Sequence, residues 1–582
     1  MLFSRKVLLL IAALLLLLLC LVWLWWNHSP KVDITADAPA DSLLYIEANN
    51  LPDVVGALIQ TDAWSKLAPH AGLNSNFGNV GWLSRLAAWT GIGTADAVVF
   101  ARAQVAVTVA GFDLTANELK PRAALIMETH TGESRTRAAL EKRIGEFARH
   151  SFSQSSIEKK EIDGAQWMIW RDVAVESEVD DKSARRIIAA VTESFAVVGN
   201  DEQVVRGCLA VHRGERPSLA GNAQLELMRK RVEGNSALAF GYISPTGAAK
   251  LLEVGAAVYA NQISANPRAQ SFAASLLPRF AGKVLGNLGW SARLANNQIE
   301  DRYFLTLQNG VAARLSEPLA APAQTSLAVA DFLPADTYSL TRYSYRDPLA
   351  AWRGLNSAIS SQLDALSAAL VQTFLNAALQ PYGIEDASLF LRSIGSEAAT
   401  ARLDNTGAST VLIVEAKDEK ALQAIVARRL GASPRVERIG DAELLVSRDA
   451  ARGAASFVAG HLLMGLRDSV RRCLAARSEQ RTLRSANNFS LTARELFTAN
   501  STGALTLTND EEPARDFILF AAAQGGSRAK DINRNELQRA LAQLKFAATK
   551  TRLADEGFER TTHSAFGQFG ALVMQFASDE EK

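Results

Sequence analysis

Five short motifs occur twice in this chain, in the same order, and no other feature constrains its fold as strongly. Pro39-Ala40-Asp41-Ser42 ahead of the run LLYIEA returns as Pro334-Ala335-Asp336-Thr337 ahead of YSLTRY. ALIMETHT (124–131) matches VLIVEAKD (411–418), and EIDGAQWMIWRD (161–172) matches RIGDAELLVSRD (438–449). VRGCLA (205–210) matches VRRCLA (470–475), and ARLANNQIE (292–300) matches TRLADEGFE (551–559). The offset falls steadily from 295 to 259 residues along the chain, whereas chance similarity scatters offsets. Self-similarity of this kind marks a repeated structural unit. We read 37–320 and 330–582 as two copies, the first with longer loops, joined by a linker at 321–329 that begins within the Ala/Pro-rich SEPLAAPAQTSLA (316–328).

Within each copy, short β-rich runs such as AALIMETH and QWMIWRD alternate with helical patterns. In RTRAALEKRIGEFARH (135–150), Leu140, Ile144 and Phe147 share one face, with Arg, Glu and Lys opposite. Strand runs around 162–173 and 186–199 precede the helix DEQVVRGCLAVHRG (201–214). Strand, helix, strand, strand, helix is an α+β order with neighbouring antiparallel strands. Asn296-Asn297 and Asp555-Glu556-Gly557 supply turn residues near the end of each copy. Over 355–379, Leu355, Ile359, Leu363, Leu366, Leu370 and Phe374 recur every three or four residues. That spacing predicts a helix packed on the sheet, because its polar face carries Ser, Gln, Asn and Asp rather than the Lys and Arg of a lipid-surface helix.

Ahead of both copies, Val7 to Trp26 is an unbroken apolar run. At 1.5 Å per residue it is long enough for a hydrocarbon core of about 30 Å. Arg5 and Lys6 precede it, and Trp23, Trp25 and Trp26 close it. The expectation is a transmembrane signal anchor at 7–26, with 1–6 cytoplasmic, 27–36 a juxtamembrane linker and the bulk of the chain outside a bacterial inner membrane. A cleaved signal peptide has a shorter apolar core, and the small-x-small site Ala36-Asp37-Ala38 lies far beyond Trp26. A lipoprotein signal is excluded too, since Leu19 precedes Cys20.

Charge excludes one class of partner. The chain has 62 Lys+Arg against 61 Asp+Glu, so it carries no overall basic footprint for nucleic acid. Beyond Cys20 there remain only Cys208 and Cys473, too few for a disulfide framework or a zinc ribbon, and their helical settings suggest small core residues. The seven histidines include no His-Glu-x-x-His pair; His130 reads as a solvated loop residue and His461 as a core or edge-strand one. No Gly-x-Ser-x-Gly elbow occurs. Ser156-Ile157-Glu158-Lys159 has Ser-x-x-Lys spacing without its companion elements, and Gly91-Ile92-Gly93 lacks a third glycine. The acidic ESEVDDK (176–182) reads as a hairpin loop, and Arg171-Asp172 and Arg448-Asp449 as strand-end ion pairs. No catalytic, cofactor or metal residue is therefore assigned. Trp82 and Trp89, on one helical face with Leu86, and Trp167 and Trp170 are candidate pocket aromatics, because the second copy replaces both strand tryptophans.

With the anchor ahead of it, the Pro-x-Asp-Ser/Thr strand start resembles an uncharacterised bacterial family known only as a domain of unknown function, number 3352. NLPDVVGALIQTDAWSKL (50–67) is similar to that family as well. The resemblance brings no catalytic residues. The leading expectation is a non-enzymatic binding or scaffold protein for an envelope protein, lipid or glycan. The competing one is an extracytoplasmic hydrolase whose site is assembled from dispersed residues.

Overall fold

The structure is a computed structural model that describes residues 31–48, 50–73, 95–114, 119–173, 185–263, 282–308, 310–322, 328–365, 368–369, 379, 384–431, 433–496, 503–524, 532–568 and 570–571. Described residues within 31–60 and 73–247 form one compact unit, and those within 61–72 and 248–571 form a second. These units divide the chain elsewhere than at 321–329, because 248–320 and the short segment 61–72 pack with the second half.

In the first unit, eight strands are β1 (Leu44–Ala48), β2 (Gln104–Leu114), β3 (Leu119–Glu128), β4 (Ser155–Ile162), β5 (Ala165–Asp172), β6 (Arg186–Thr192), β7 (Phe195–Gly199) and β8 (Ala239–Ile243). They pair antiparallel in the order β4–β5–β6–β7–β3–β2–β1–β8. Alternation along a strand sends successive side chains to opposite faces, so a strand covered on both faces must be apolar throughout. Strand β5 shows this directly. Met168 and Trp170 pack with Leu140 and Ala148 of the helix Glu133–Ser151. Trp167 points the other way, beneath Arg206 of the helix Glu202–His212. Asp201 caps that second helix by accepting from the Gln203 and Val204 N–H groups.

In the second unit the strands are β9 (Leu285–Ala295), β10 (Gln298–Leu307), β11 (Ser339–Ser344), β12 (Ile394–Arg402), β13 (Thr410–Ala416), β14 (Arg435–Ile439), β15 (Ala442–Val446), β16 (Ala454–Val458), β17 (His461–Gly465), β18 (Ala504–Thr508), β19 (Ala547–Ala554) and β20 (Gly557–Ser564). They pair antiparallel as β9–β10–β20–β19–β18–β11–β12–β13–β17–β16–β15–β14. From β14 to β18 this follows the path that β4 to β8 follow in the first unit. Val411 and Ile413 of β13 enter one apolar layer, and Leu412 and Val414 enter the other. Asn296 and Asn297, at φ +50° and +57°, form the tight turn between β9 and β10.

The Pro-Ala-Asp-Ser/Thr motif is a closed turn in both places. The Ser42 hydroxyl donates to the Pro39 carbonyl at 2.6 Å, and the Thr337 hydroxyl to that of Pro334 at 2.7 Å. Pro39 bridges to Ser218 and Pro334 to Thr482, while Asp41 and Asp336 pair outward with Arg216 and Arg472.

Two expectations are corrected. Among the described residues no helix is long and apolar enough to cross a membrane, which goes against the expected transmembrane helix and single-pass inner-membrane location; residues 7–26, on which that expectation rested, lie outside the described residues. The helix expected over 355–379 instead runs Pro348–Ser360, started by Asp347 accepting from the Ala350 N–H, and most of 366–383 lies outside the described residues. The polar stretch holding Ser156, to which the sequence pattern assigned no element, is strand β4, an edge strand whose charges keep it solvated.

The turn hydroxyls are buried, so losing either should cost about 1 kcal/mol in a urea melt. Ser42→Ala should cost more than Thr337→Ala, because Ser42 also bonds Thr108 at 2.6 Å, and Thr337→Ser should be nearly neutral.

Candidate acidic groove of the second unit

Two helices and one turn build a recess in the second unit. The helix Arg534–Leu541 buries Leu537, Ala540 and Leu541 and starts at Asn533, whose side chain accepts from the Glu536 N–H. The segment 61–72 braces it: the Asn533 N–H donates to the His70 carbonyl at 2.8 Å, and the helix Asp62–Leu67 buries Trp64 and Leu67. Beside it runs the helix Glu511–Gln524. Opposite lies the turn after β12, where Asp404 accepts from the Thr406 hydroxyl at 2.7 Å and the Gly407 N–H at 2.8 Å.

Between them is a recess of about 340 Å³ whose lining includes Asp336, Asp404, Glu511 and Glu512, with Arg515 the one cation among its described lining residues. Arg515, Gln538 and Leu541 also line a neighbouring recess of about 500 Å³, walled by Leu519, Ala523, Ile532 and Leu537 and edged by Arg534. The two form one groove with an acidic end and an apolar end. Hydrogen bonds from the Ser409 and Thr406 hydroxyls and from the turn's N–H groups hold Asp404 ionised, its pKa lowered to about 2. Glu512 accepts from Asn405 at 3.1 Å, and Glu511 from Asn509 at 3.2 Å, which fixes both carboxylates at the mouth. Asp510, between two lining residues, points inward instead: it accepts from the Ala565 N–H at 2.6 Å, and burial pushes its pKa up to about 7.

The aromatic candidates do not gather into a site. Trp167 and Trp170 are each 2% exposed and face opposite sides of β5, as core residues. Trp82 and Trp89 lie outside the described residues, as do Gly91-Ile92-Gly93 and 176–182. Ser156 and Lys159 sit three apart on a strand, so they take opposite faces, and Lys159 pairs with Glu141. His130 is not a solvated loop residue: at φ +50° its ring is mostly buried, 3.1 Å from Gln104 and 3.7 Å from Glu128. His461 opens β17 half-buried, with its ring on Phe332. Arg171 pairs with Glu158, and Asp172 accepts from the Ser153 and Gln154 N–H groups, so local structural contacts occupy both. Among the described residues no three His, Cys, Asp or Glu side chains are grouped to hold a metal ion.

Sequence reasoning missed the groove. Its signal was present as two acidic polar turns, Asp404-Asn405-Thr406-Gly407 and Asn509-Asp510-Glu511-Glu512, but nothing in the chain says that they meet. Comparison with known proteins adds no further guide: no family model, no curated protein and no solved structure matches this chain.

The cysteines give a direct check of the packing. Burial raises both Cys208 and Cys473 to about 12, leaving almost no thiolate near neutral pH. Peptide mapping after maleimide treatment of the native protein should find neither one labelled, and both labelled after unfolding in guanidinium.

Proposed function

We propose that this chain is a binding protein whose second unit takes a cationic peptide segment of a protein partner, with aliphatic side chains beside its basic residues. The observation that carries this reading is the groove's division: four carboxylates and one guanidinium line one end, and aliphatic side chains wall the other. A Lys or Arg would be drawn to Asp404 and Glu512, and a neighbouring Leu, Ile or Val would lose water against Leu519 and Ile532. Hydrolysis is less well supported there. Among the described lining residues there is no Ser, Thr, Cys or His to serve as a nucleophile or as its base. A carboxylate pair would need one partner held protonated as general acid, and the shift at Asp404 is in the opposite direction.

Isothermal titration of the full chain should show binding to a peptide alternating Lys or Arg with Leu or Ile, and none to its Glu-substituted counterpart. Raising salt from 50 to 500 mM should weaken it. Asp404→Asn with Glu512→Gln should lower affinity roughly tenfold, about 1.4 kcal/mol, and Ala523→Glu at the apolar end should abolish binding. A response confined to a glycan array or to phospholipid vesicles, with none to the peptide, would overturn the reading.

A further inference from the structure

Beyond β20 the chain is tied down by two acidic side chains from distant strands. Asp301 on β10 accepts from the Gln568 N–H at 2.8 Å and from the Trp290 indole at 2.9 Å. Asp510, at the root of the helix Glu511–Gln524, accepts from the Ala565 N–H at 2.6 Å. Between these ties Phe566 is buried, with its ring 4.4 Å from that of Phe517. Gly567 turns at φ +67°, where an added Cβ would lie 2.3 Å from Ile299.

We propose that Ala565–Gln568 is a latch that rising pH loosens at its Asp510 end, through ionisation of that carboxyl. The two ties differ in their surroundings. Burial and Glu300 raise Asp301 above its ordinary value too, against two donors on its oxygens and Arg560 nearby on β20, so this tie responds in the same direction; Tyr303 shares the same face of the sheet. Asp510 has burial against it and the one N–H of Ala565 in its favour, while Glu511 and Glu512 next along the chain line the groove. An ionised Asp510 is therefore stable only where water reaches it, in the open form.

The sign follows from linkage. Asp510 titrates at about 7 when the latch is closed, against the ordinary 3.8 when it is open. The closed form is fully favoured below the open-form pKa, and that advantage is lost as pH rises through the closed-form value. The opening constant should thus climb about tenfold per pH unit from about 4 to about 7 and then level off. Because Asp510 lies between Asn509 and Glu511, both in the groove lining, loosening would also shift the groove's acidic end; that consequence alone rests on the peptide-binding reading.

Hydrogen exchange of the full chain without peptide tests the latch by itself. After correction for the intrinsic pH dependence of exchange, protection across 565–568 should fall roughly fiftyfold between pH 5 and pH 7. Amides of β13 in the same samples should not change in step. Asp510→Asn should remove most of the slope and leave the shallower dependence that Asp301 contributes, whereas Asp301→Asn should lower protection at every pH and keep most of the slope. A flat wild-type profile overturns the latch without any variant, as does an Asp510→Asn profile as steep as the wild type. Peptide affinity that stays constant from pH 5 to pH 7 while the latch opens would instead count against the groove.

Discussion

The constraint on which the rest of the second unit depends is that β13 is buried on both faces. Val411 and Ile413 are sealed on one side, and Leu412 and Val414 on the other. At roughly 1.5–3 kcal/mol for each fully buried aliphatic side chain, these four positions outweigh any single polar contact in the unit. They also fix register, because a slip of one residue would exchange the two layers. Once β13 is set, β12 and β17 pair on its two edges. The helix Glu419–Leu430 covers the layer holding Leu412 through Leu422, Ile425 and Val426. The helix Arg467–Ser478 covers the other through Val470, Cys473 and Leu474. Strand β3 holds the corresponding place in the first unit, with Ile126 and Met127 both buried.

That double burial is why β3 and β13 were legible in the sequence and β4 was not. A strand covered on both faces is an apolar run, and its counterpart in the other half repeats it closely enough to be matched. An edge strand has the reverse need. Glu158, Lys159, Lys160 and Glu161 make β4 look like a loop, yet each bonds across the sheet edge or stays in water while the backbone pairs fully with β5. The groove was hidden for a different reason. Asp336, Asp404 and Glu511 come from three separate segments, and each belongs to a turn or helix start where an acidic residue has an ordinary local purpose. Asp404 closes its own turn, and Asn509 accepts from the Glu511 N–H at a helix start. Local chemistry accounts for each residue, and only the sheet order brings the carboxylates to one recess.

The two units also differ where their strands correspond. Glu47 of β1 and Arg342 of β11 hold the same position relative to the Pro-Ala-Asp-Ser/Thr turn, and both are buried. Glu47 takes the Tyr45 hydroxyl at 2.6 Å and Arg229 at 3.1 Å. Arg342 is influenced by Glu397 on the neighbouring strand, and burial lowers its pKa. A buried charge survives there because each unit supplies a partner of opposite sign; exchanging either residue alone would bring like charges together.

A still larger difference lies one residue away. Ile46 sits between Val107 and Gly241 in the first unit, an apolar row. The corresponding row in the second is Thr400, Thr341 and Thr506, continued by Thr549 and Thr562 to Asp301. Thr341 bonds Thr506 at 3.1 Å, and Thr549 bonds Thr562 at 2.9 Å. β-branched threonine keeps strand propensity while its hydroxyl bonds across the ladder, so a sheet can stay regular under a polar face. The row ends at the same Asp301 that holds Gln568. The face that became polar is therefore continuous with one anchor of the C-terminal segment, and the second anchor, Asp510, directly follows β18 of that sheet. A change of side-chain chemistry along one row thus ends at the side chain that holds the segment following β20.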